Sequence, residues 1–366
     1  MTPPAQSGLT RERPPILKIS VIDWLHANLF NSIHNTILTV LCLLALFFIV
    51  PDAMRWTFFE SVWYTEDSNV CRAAAGACWA VIPEKYRLIL FGTFPYDEHW
   101  RGLIVILIIV GLTIISAFER FWSIHLFTAW IIAFAVVLWL MLGGSFGLKT
   151  ISTNRWGGLP LTLILFVGTV VGGLPMAIFL ALGRRSELPV VKAVCVATIE
   201  IIRGVPLITV LFMFSLMFPL FMPAEITVDK ILRAQVGMII FFAAYGAEVI
   251  RGGLQAIPRG QYEAADSLGL SYWKKTRKII MPQALRIVIP PLVNDIIRAF
   301  KNTTFVSILG LFDLLGATKA ATEDPKWQNY AMEAYAFIFL IYFIFCFSMS
   351  KYSEGVERKL SEGRNY

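Results

Sequence analysis

Long apolar runs separated by short polar intervals dominate this chain. Between Asp23 and Asp52 there is no Asp, Glu, Lys or Arg. About 20 apolar residues suffice to cross a bilayer, so a first span is predicted near Ile33 to Val50. Three more clean windows follow, near Gly102 to Phe118, Leu126 to Leu142 and Leu159 to Leu182. The later runs are different. The fifth is interrupted by Glu200 and Arg203 ahead of Gly204-Val205-Pro206, and the sixth, near Leu232 to Ile250, ends in Glu248 and Arg251. The seventh, near Leu285 to Phe300, holds Pro290-Pro291 and then Asp295, Arg298 and Lys301, and the eighth is Ala334 to Ser350. The pattern predicts an all-α, polytopic membrane protein with about eight transmembrane helices.

Composition agrees: 57% of residues are hydrophobic, 16% are charged and mean hydropathy is +0.66, which excludes a soluble globule. The net charge of +7 does not point to nucleic acid, because the cations fall in short blocks beside apolar spans, as topology signals do. Residues 1–28, with Arg11, Arg13 and Lys18, read as a cytoplasmic tail, mobile as far as about Lys18 because Pro3, Pro4, Pro14 and Pro15 oppose helix formation. No cleavable signal peptide is expected, since the first apolar run is long enough to remain as a span. Residues 51–100 read as a large outer loop rich in Trp and Tyr, and Glu119 and Arg120 as a tight inner turn. The Gly- and Ser-rich stretch 143–158 joins an N-terminal extension, 29–158, with three spans, to a five-span core, 159–350. Arg184, Arg185 and Lys192 mark the inner side, and Lys351, Arg358, Lys359 and Arg364 hold the tail, 351–366, there too. Eight spans with both termini in the cytoplasm satisfy all these blocks. Gly168 and Gly172 stand at GxxxG spacing and predict close helix contact.

The longest polar interval in the second half is Glu248 to Pro282, within which 251–282 links the sixth and seventh spans. Between Arg251 and Arg286 there are seven Lys or Arg against Glu263 and Asp266, which places the interval in the cytoplasm. Pro258 and Gly260 break the preceding helix, and Gln261 to Leu268 predicts a short helix that Gly269 ends in a left-handed conformation. Ser271 is then placed to cap a second, basic helix, Tyr272 to Met281, which Pro282 terminates. Ala264 and Ala265 predict a smooth face that another protein could approach closely.

These residues carry a resemblance. Glu263-Ala264-Ala265, Gly269 four residues on, nine residues to Ile279 and then Met281-Pro282 resemble the EAA loop of bacterial ABC-importer permeases, with Met281 where Leu is usual. AYGAEVIRGG before it, PQALRIVIPPL after it and IIRGVPL from Ile201 are similar to the polar amino acid subfamily, the histidine- and glutamine-type permeases. The layout with three additional spans is similar to a membrane subunit of the general L-amino-acid transporter. The resemblance implies a type I ABC importer core and uptake of L-amino acids from the periplasm. It implies that Arg259, Glu263, Ala264, Ala265 and Gly269 seat on a separate ATPase, the subunit that uses ATP. A periplasmic amino-acid-binding protein and a second, related permease are the other implied partners. Consistent with a separate ATPase, no GxxxxGK[ST] phosphate loop occurs here, and no cofactor is expected on this chain.

Charges at membrane depth are expensive and need partners or water. Glu200 with Arg203, and Asp295 with Arg298, are three apart and suited to pairing along one helix face. Two readings stand: mutual neutralisation, or, for Glu200, Arg203, Asn294, Asp295, Arg298 and Lys301, a pathway lining that offers a cation to a carboxylate and an anion to an ammonium. Backbone freed at Gly204-Val205-Pro206 and Pro290-Pro291 would add to such a lining. Cys71 and Cys78, with Gly76 between them, suit a disulfide in an oxidising periplasm, and free thiols are the equal alternative. Cys42, Cys195 and Cys346 read as small buried side chains. No CxxC pair with metal-ligand spacing occurs. An intramembrane lipid-modifying enzyme would need a base, but His26, His34, His99 and His125 are scattered without a nucleophile motif. An ion-driven carrier would leave EAADSLG unexplained.

Overall fold

The computed structural model describes residues 20–223 and 225–362. The expected mobile tail as far as Lys18, and Arg364, lie outside the described residues. The chain divides into two compact units, one up to residue 62 together with 71–77, the other 63–70 with the residues from 78 onward.

In the first unit, α1 (Val21–Leu29) precedes α2 (Ile33–Met54), which Ser32 caps by accepting from the Asn35 amide at 3.3 Å. Residues 21–28 of the expected tail are therefore helical. The first span also exceeds its expected end: α2 passes through Pro51, near its last turn, and continues as a π turn to Phe59. A proline there removes a single ladder bond, and the apolar residues Trp56, Phe58 and Phe59 continue the helix. Gly76 lies against the backbone of Glu60, where a Cβ would meet the carbonyl carbon at 2.4 Å.

The remaining helices are α3 (Ser68–Ala73), α4 (Val81–Phe91), α5 (His99–Ser116), α6 (Ile124–Leu142), α7 (Gly158–Arg184), α8 (Pro189–Arg203), α9 (Leu207–Phe212), α10 (Lys230–Ala256), α11 (Arg259–Ser267), α12 (Tyr272–Lys275), α13 (Met281–Asn302), α14 (Leu314–Thr322) and α15 (Ala331–Glu362). Much of 51–100, expected as loop, is thus helical. In α4 the apolar spacing of Val81, Ile89 and Phe91 buries one face among α7, α14 and α15. Seven helices among the described residues are long and apolar enough to cross a membrane, or eight if α8 and the helix that follows it, bent by 113°, form one broken span.

Helices α7 and α10 form the spine of the second unit. Their contact uses missing side chains: a Cβ on Gly172 would fall 2.7 Å from Ile239, and one on Gly173 2.5 Å from Phe242. Gly168 faces Gln235 in the same way, so the glycines at GxxxG spacing meet residues also four apart on the partner helix. Two apolar clusters flank this spine. One joins the first half of α7 to α5, α6, α14 and α15; the other joins its second half to α8, the end of α10 and Ile280 to Leu292.

Candidate functional site

The polar segment after α10 folds as a short helix, a left-handed turn and a long helix. Pro258 precedes α11, which ends by bonds from Gly269 N to Asp266 O at 2.9 Å and from Leu270 N to Ala265 O at 3.2 Å. This is a Schellman arrangement, and Gly269 holds φ +67° in it. Two expectations change beyond it. Ser271 sits at the N-cap position of α12 without a side-chain bond. Pro282 does not end the basic helix: a π turn, Thr276–Ile280, joins α12 to α13, so that Pro282 falls in the first turn of α13, where a missing N–H is tolerated.

The two alanines do not share a face. Successive helix residues point about 100° apart, and here Ala264 is exposed whereas Ala265 is 1% exposed, packed into its own chain. Glu263, Ala264 and Arg259 remain outward, and Leu268 and Trp273, 75% and 71% exposed, flank the Gly269 turn. Lys275 bonds Asp266 at 2.5 Å and Gln283 donates to Gln261 at 3.3 Å, tying α11 to the helix beyond the turn. Behind α11, Tyr262 donates from its hydroxyl to Leu254 O at 3.0 Å and accepts from Arg185 at 3.0 Å. Arg185, Tyr262, Arg259 and Glu263 border a cavity of about 420 Å³.

The charged residues of the spans pair across helices rather than only along them. Glu200 does not pair with Arg203: it accepts from Arg184 of α7 at 2.7 Å. Arg203 turns to Glu248 of α10 at 3.3 Å. Glu248 is a hub, also within 3.1 Å of Arg184 and 2.9 Å of Arg251, so one carboxylate gathers guanidinium groups from three helices. The pairing along α13 does form, with Arg298 donating to Asp295.

Asp295 and Arg298 line a small pocket with Thr169, Tyr245, Phe242 and Asn302. Its volume is about 20 Å³, room for about one water. Asp295 is 5% exposed, and its Oδ2 is buried without a hydrogen-bond partner. Residues 295, 298, 299 and 302 follow helical i, i+3, i+4, i+7 spacing, so Asn294 and Lys301, on the neighbouring stripe, are exposed and outside the lining. The freed backbone at Pro290-Pro291 is also outside it: both prolines lie inside the unbroken α13, more than one turn before the pocket. The break at Gly204-Val205-Pro206 does open beside it, since Leu207 is part of the wall. Tyr245 was not identified from the sequence, although it stands one turn before Glu248. Its ring lies 5.2 Å from the guanidinium carbon of Arg298 and 5.7 Å from that of Arg203, connecting the pocket to the hub.

Away from this layer, Cys71 and Cys78 are both disulfide-bonded, and Cys42, Cys195 and Cys346 are free. His99 is buried, with Nε2 3.0 Å from Phe94 O and its ring stacked on Phe91, which makes it a packing residue. No group of three or more His, Cys, Asp or Glu suited to a metal occurs among the described residues.

Residues 173–362 match the family of binding-protein-dependent transport system inner membrane components. The inner membrane amino-acid ABC transporter permease protein YhdY of Escherichia coli K12 is 47% identical over 347 residues, 93% of each chain. The glutamate/glutamine/aspartate/asparagine transport system permease protein BztC of Rhodobacter capsulatus is 38% identical, over 94% of this chain and 95% of that one. Among solved structures, a crystal structure of an amino acid ABC transporter with histidines superposes with a TM-score of 0.50 at 33% identity, covering 55% of this chain and 92% of that one. Proteins of this kind are permease subunits rather than enzymes. Full-length similarity and the family match agree with the helical architecture, and the chain therefore belongs to the binding-protein-dependent transport system inner membrane components, and within them to the amino-acid ABC transporter permeases, as a multi-pass protein of the inner membrane.

Proposed function

We propose that this chain forms part of the path by which an ATP-driven importer takes L-amino acids from the periplasm into the cytoplasm. The observation that carries this reading is the joining of two features by a continuous set of contacts. The pocket is water-sized in this arrangement, and in this reading it widens so that Asp295 and Arg298, here bonded to each other, part to meet the ammonium and carboxylate of an amino acid. Tyr245, the Glu248 hub and Arg184 lead from it to Arg185, which grips α11.

In this reading α11 is the element an ATPase subunit holds. Glu263, Ala264 and Arg259 meet the partner, Ala265 anchors α11 to its own chain, and Gly269 fixes the turn. ATP is bound and used by that partner. A solute-binding protein delivers the amino acid at the opposite face, and a second permease, related to this chain but different from it, completes the enclosure. Both termini and the α10–α13 connection are cytoplasmic, and Cys71 and Cys78 form a disulfide on the periplasmic side. Core 159–350 carries transport, and 29–158 is an accessory extension. The test is uptake of a panel of radiolabelled L-amino acids by vesicles holding the complete transporter. ATP-dependent accumulation is expected, and accumulation without ATP, or none with it, would defeat the reading.

A further inference from the structure

The structure carries a second mixed-charge cavity, of about 250 Å³, formed between the turn that enters α5 and the segment before α7. It lies outside the region that matches the family, which begins at residue 173. Asp97 and Glu98 contribute carboxylates, Lys149 and Arg155 contribute cations, and Ser152 contributes a hydroxyl. Both walls are fixed from behind by Arg101, which is fully buried. Its Nε donates to Leu140 O at 2.5 Å, and its Nη1 donates to Lys149 O at 3.0 Å and stands 3.6 Å from the Glu98 carboxylate. The close approach requires a glycine at 143, where a Cβ would lie 2.8 Å from Arg101 Nη2 and 2.1 Å from Lys149 O, and where φ is +71°. A buried arginine is expensive unless bonded; Nε and Nη1 are bonded whereas Nη2 is buried without a hydrogen-bond partner, so two of the three nitrogens hold the brace. The groups in front of it are lightly held: among the described residues, neither the Asp97 carboxylate nor the Lys149 ammonium makes a hydrogen bond or salt bridge, and Asp97 has an electrostatic link to the His99 imidazole. Arg155 is tethered to Thr93 O through Nε at 3.3 Å, and no other bond involves its guanidinium among the described residues.

A braced cavity that presents separate anionic and cationic walls suits a small zwitterion better than a macromolecular surface. We propose that it is an outer resting site for a free L-amino acid, with the ammonium against Asp97 and Glu98 and the carboxylate against Lys149 and Arg155. This rests on the importer reading above and assigns a role to the N-terminal extension. The neighbouring Thr153 bonds Asp229, the cap of α10, at 2.5 Å, which ties this wall to the helix that carries Tyr245 and Glu248.

The test is equilibrium binding of a panel of radiolabelled L-amino acids to the complete transporter in lipid vesicles, without the solute-binding protein. The comparison is with a variant carrying Asp97→Asn and Lys149→Met, two exposed side chains with no bonds to lose. The expected result is that the variant binds one fewer amino acid per copy of this chain, and that its half-maximal uptake concentration rises roughly tenfold, as for loss of a charge-assisted contact, at unchanged basal ATP hydrolysis. Equal numbers bound by both proteins would overturn the proposal. So would weaker attachment of the solute-binding protein with binding counts unchanged, which would make the cavity a docking surface. A wild-type transporter that accumulates no amino acid would instead defeat the importer reading, while the two binding counts still report on the cavity.

Discussion

Replacing Glu248 with Gln removes the one negative charge that Arg184, Arg203 and Arg251 share. At an effective dielectric near 20, a unit pair about 3 Å apart has roughly 5 kcal/mol of attraction. The side chains are 15% to 34% exposed, so these pairs are neither surface nor core. Desolvation and screening leave about 1 kcal/mol net per pair, or about 3 kcal/mol for the hub. Some is recovered, because Arg184 keeps Glu200 at 2.7 Å and Arg251 keeps Gln255 at 3.0 Å. A net loss of about 2 to 3 kcal/mol corresponds to a shift of roughly 30- to 150-fold in an equilibrium between two arrangements of α7, α8 and α10. The assay is ATP hydrolysis and amino-acid uptake by the reconstituted transporter, with and without its solute-binding protein. Hydrolysis in the absence of that protein is expected to rise, and uptake per ATP to fall, by at least tenfold. Glu248→Asp, which keeps the charge, should lie between. A Glu248→Gln transporter with normal uptake per ATP and normal stimulation would refute the coupling role of the hub.

Other substitutions test other parts. Gly269→Val should cost about 1 to 3 kcal/mol locally and uncouple hydrolysis from uptake; since a Cβ there meets no atom within 4 Å, the penalty comes from φ alone, and Gly269→Ala should be milder in the same assay. Asp295→Asn or Arg298→Gln should abolish uptake while ATP hydrolysis persists, and intact uptake in vesicles would remove these residues from the path. Gly253→Ala would set a Cβ 2.2 Å from Val288 and 2.9 Å from the Ala284 carbonyl, and should lower the unfolding temperature of the solubilised transporter by the equivalent of about 1 to 3 kcal/mol. Asp313, outside the spans, caps α14 through the amides of Leu315 and Gly316, and burial raises its carboxyl from 3.8 to about 7. The folded chain then holds a proton that the unfolded chain releases. This group's contribution to stability is full below pH 3.8 and lost as pH rises through 7, so wild type should unfold at lower temperature at pH 8 than at pH 6, and Asp313→Asn should flatten that difference.

The spans were legible because lipid demands long apolar helices whatever their neighbours are, and Gly269 was legible because a helix stop with a positive φ is a local property. Pairing was not. Glu200 and Arg203 have the spacing of a same-helix pair, but α7 supplies Arg184, and only the packing of α7 on α8, where Gly183 faces Cys195, reveals that. Pro282 was misread for a related reason: the π turn that accommodates it depends on bonds to residues five apart and leaves no compositional trace. Ala265 shows the opposite case, since a helical wheel alone separates it from Ala264. The helical character of 51–100 was masked by its aromatic residues, which suit a membrane interface and a packed helix equally.

Arg184 and Arg185 are consecutive, yet one reaches the carboxylates of α8 and α10 and the other reaches Tyr262 on α11. A single peptide unit thus works two levers, one on the last residue of α7 and one on its C-cap, and the backbone conformation of the helix end sets their phase. Inserting one residue between them would leave every charge present but rotate one arm away from its target. The chain would then keep its composition and lose its timing.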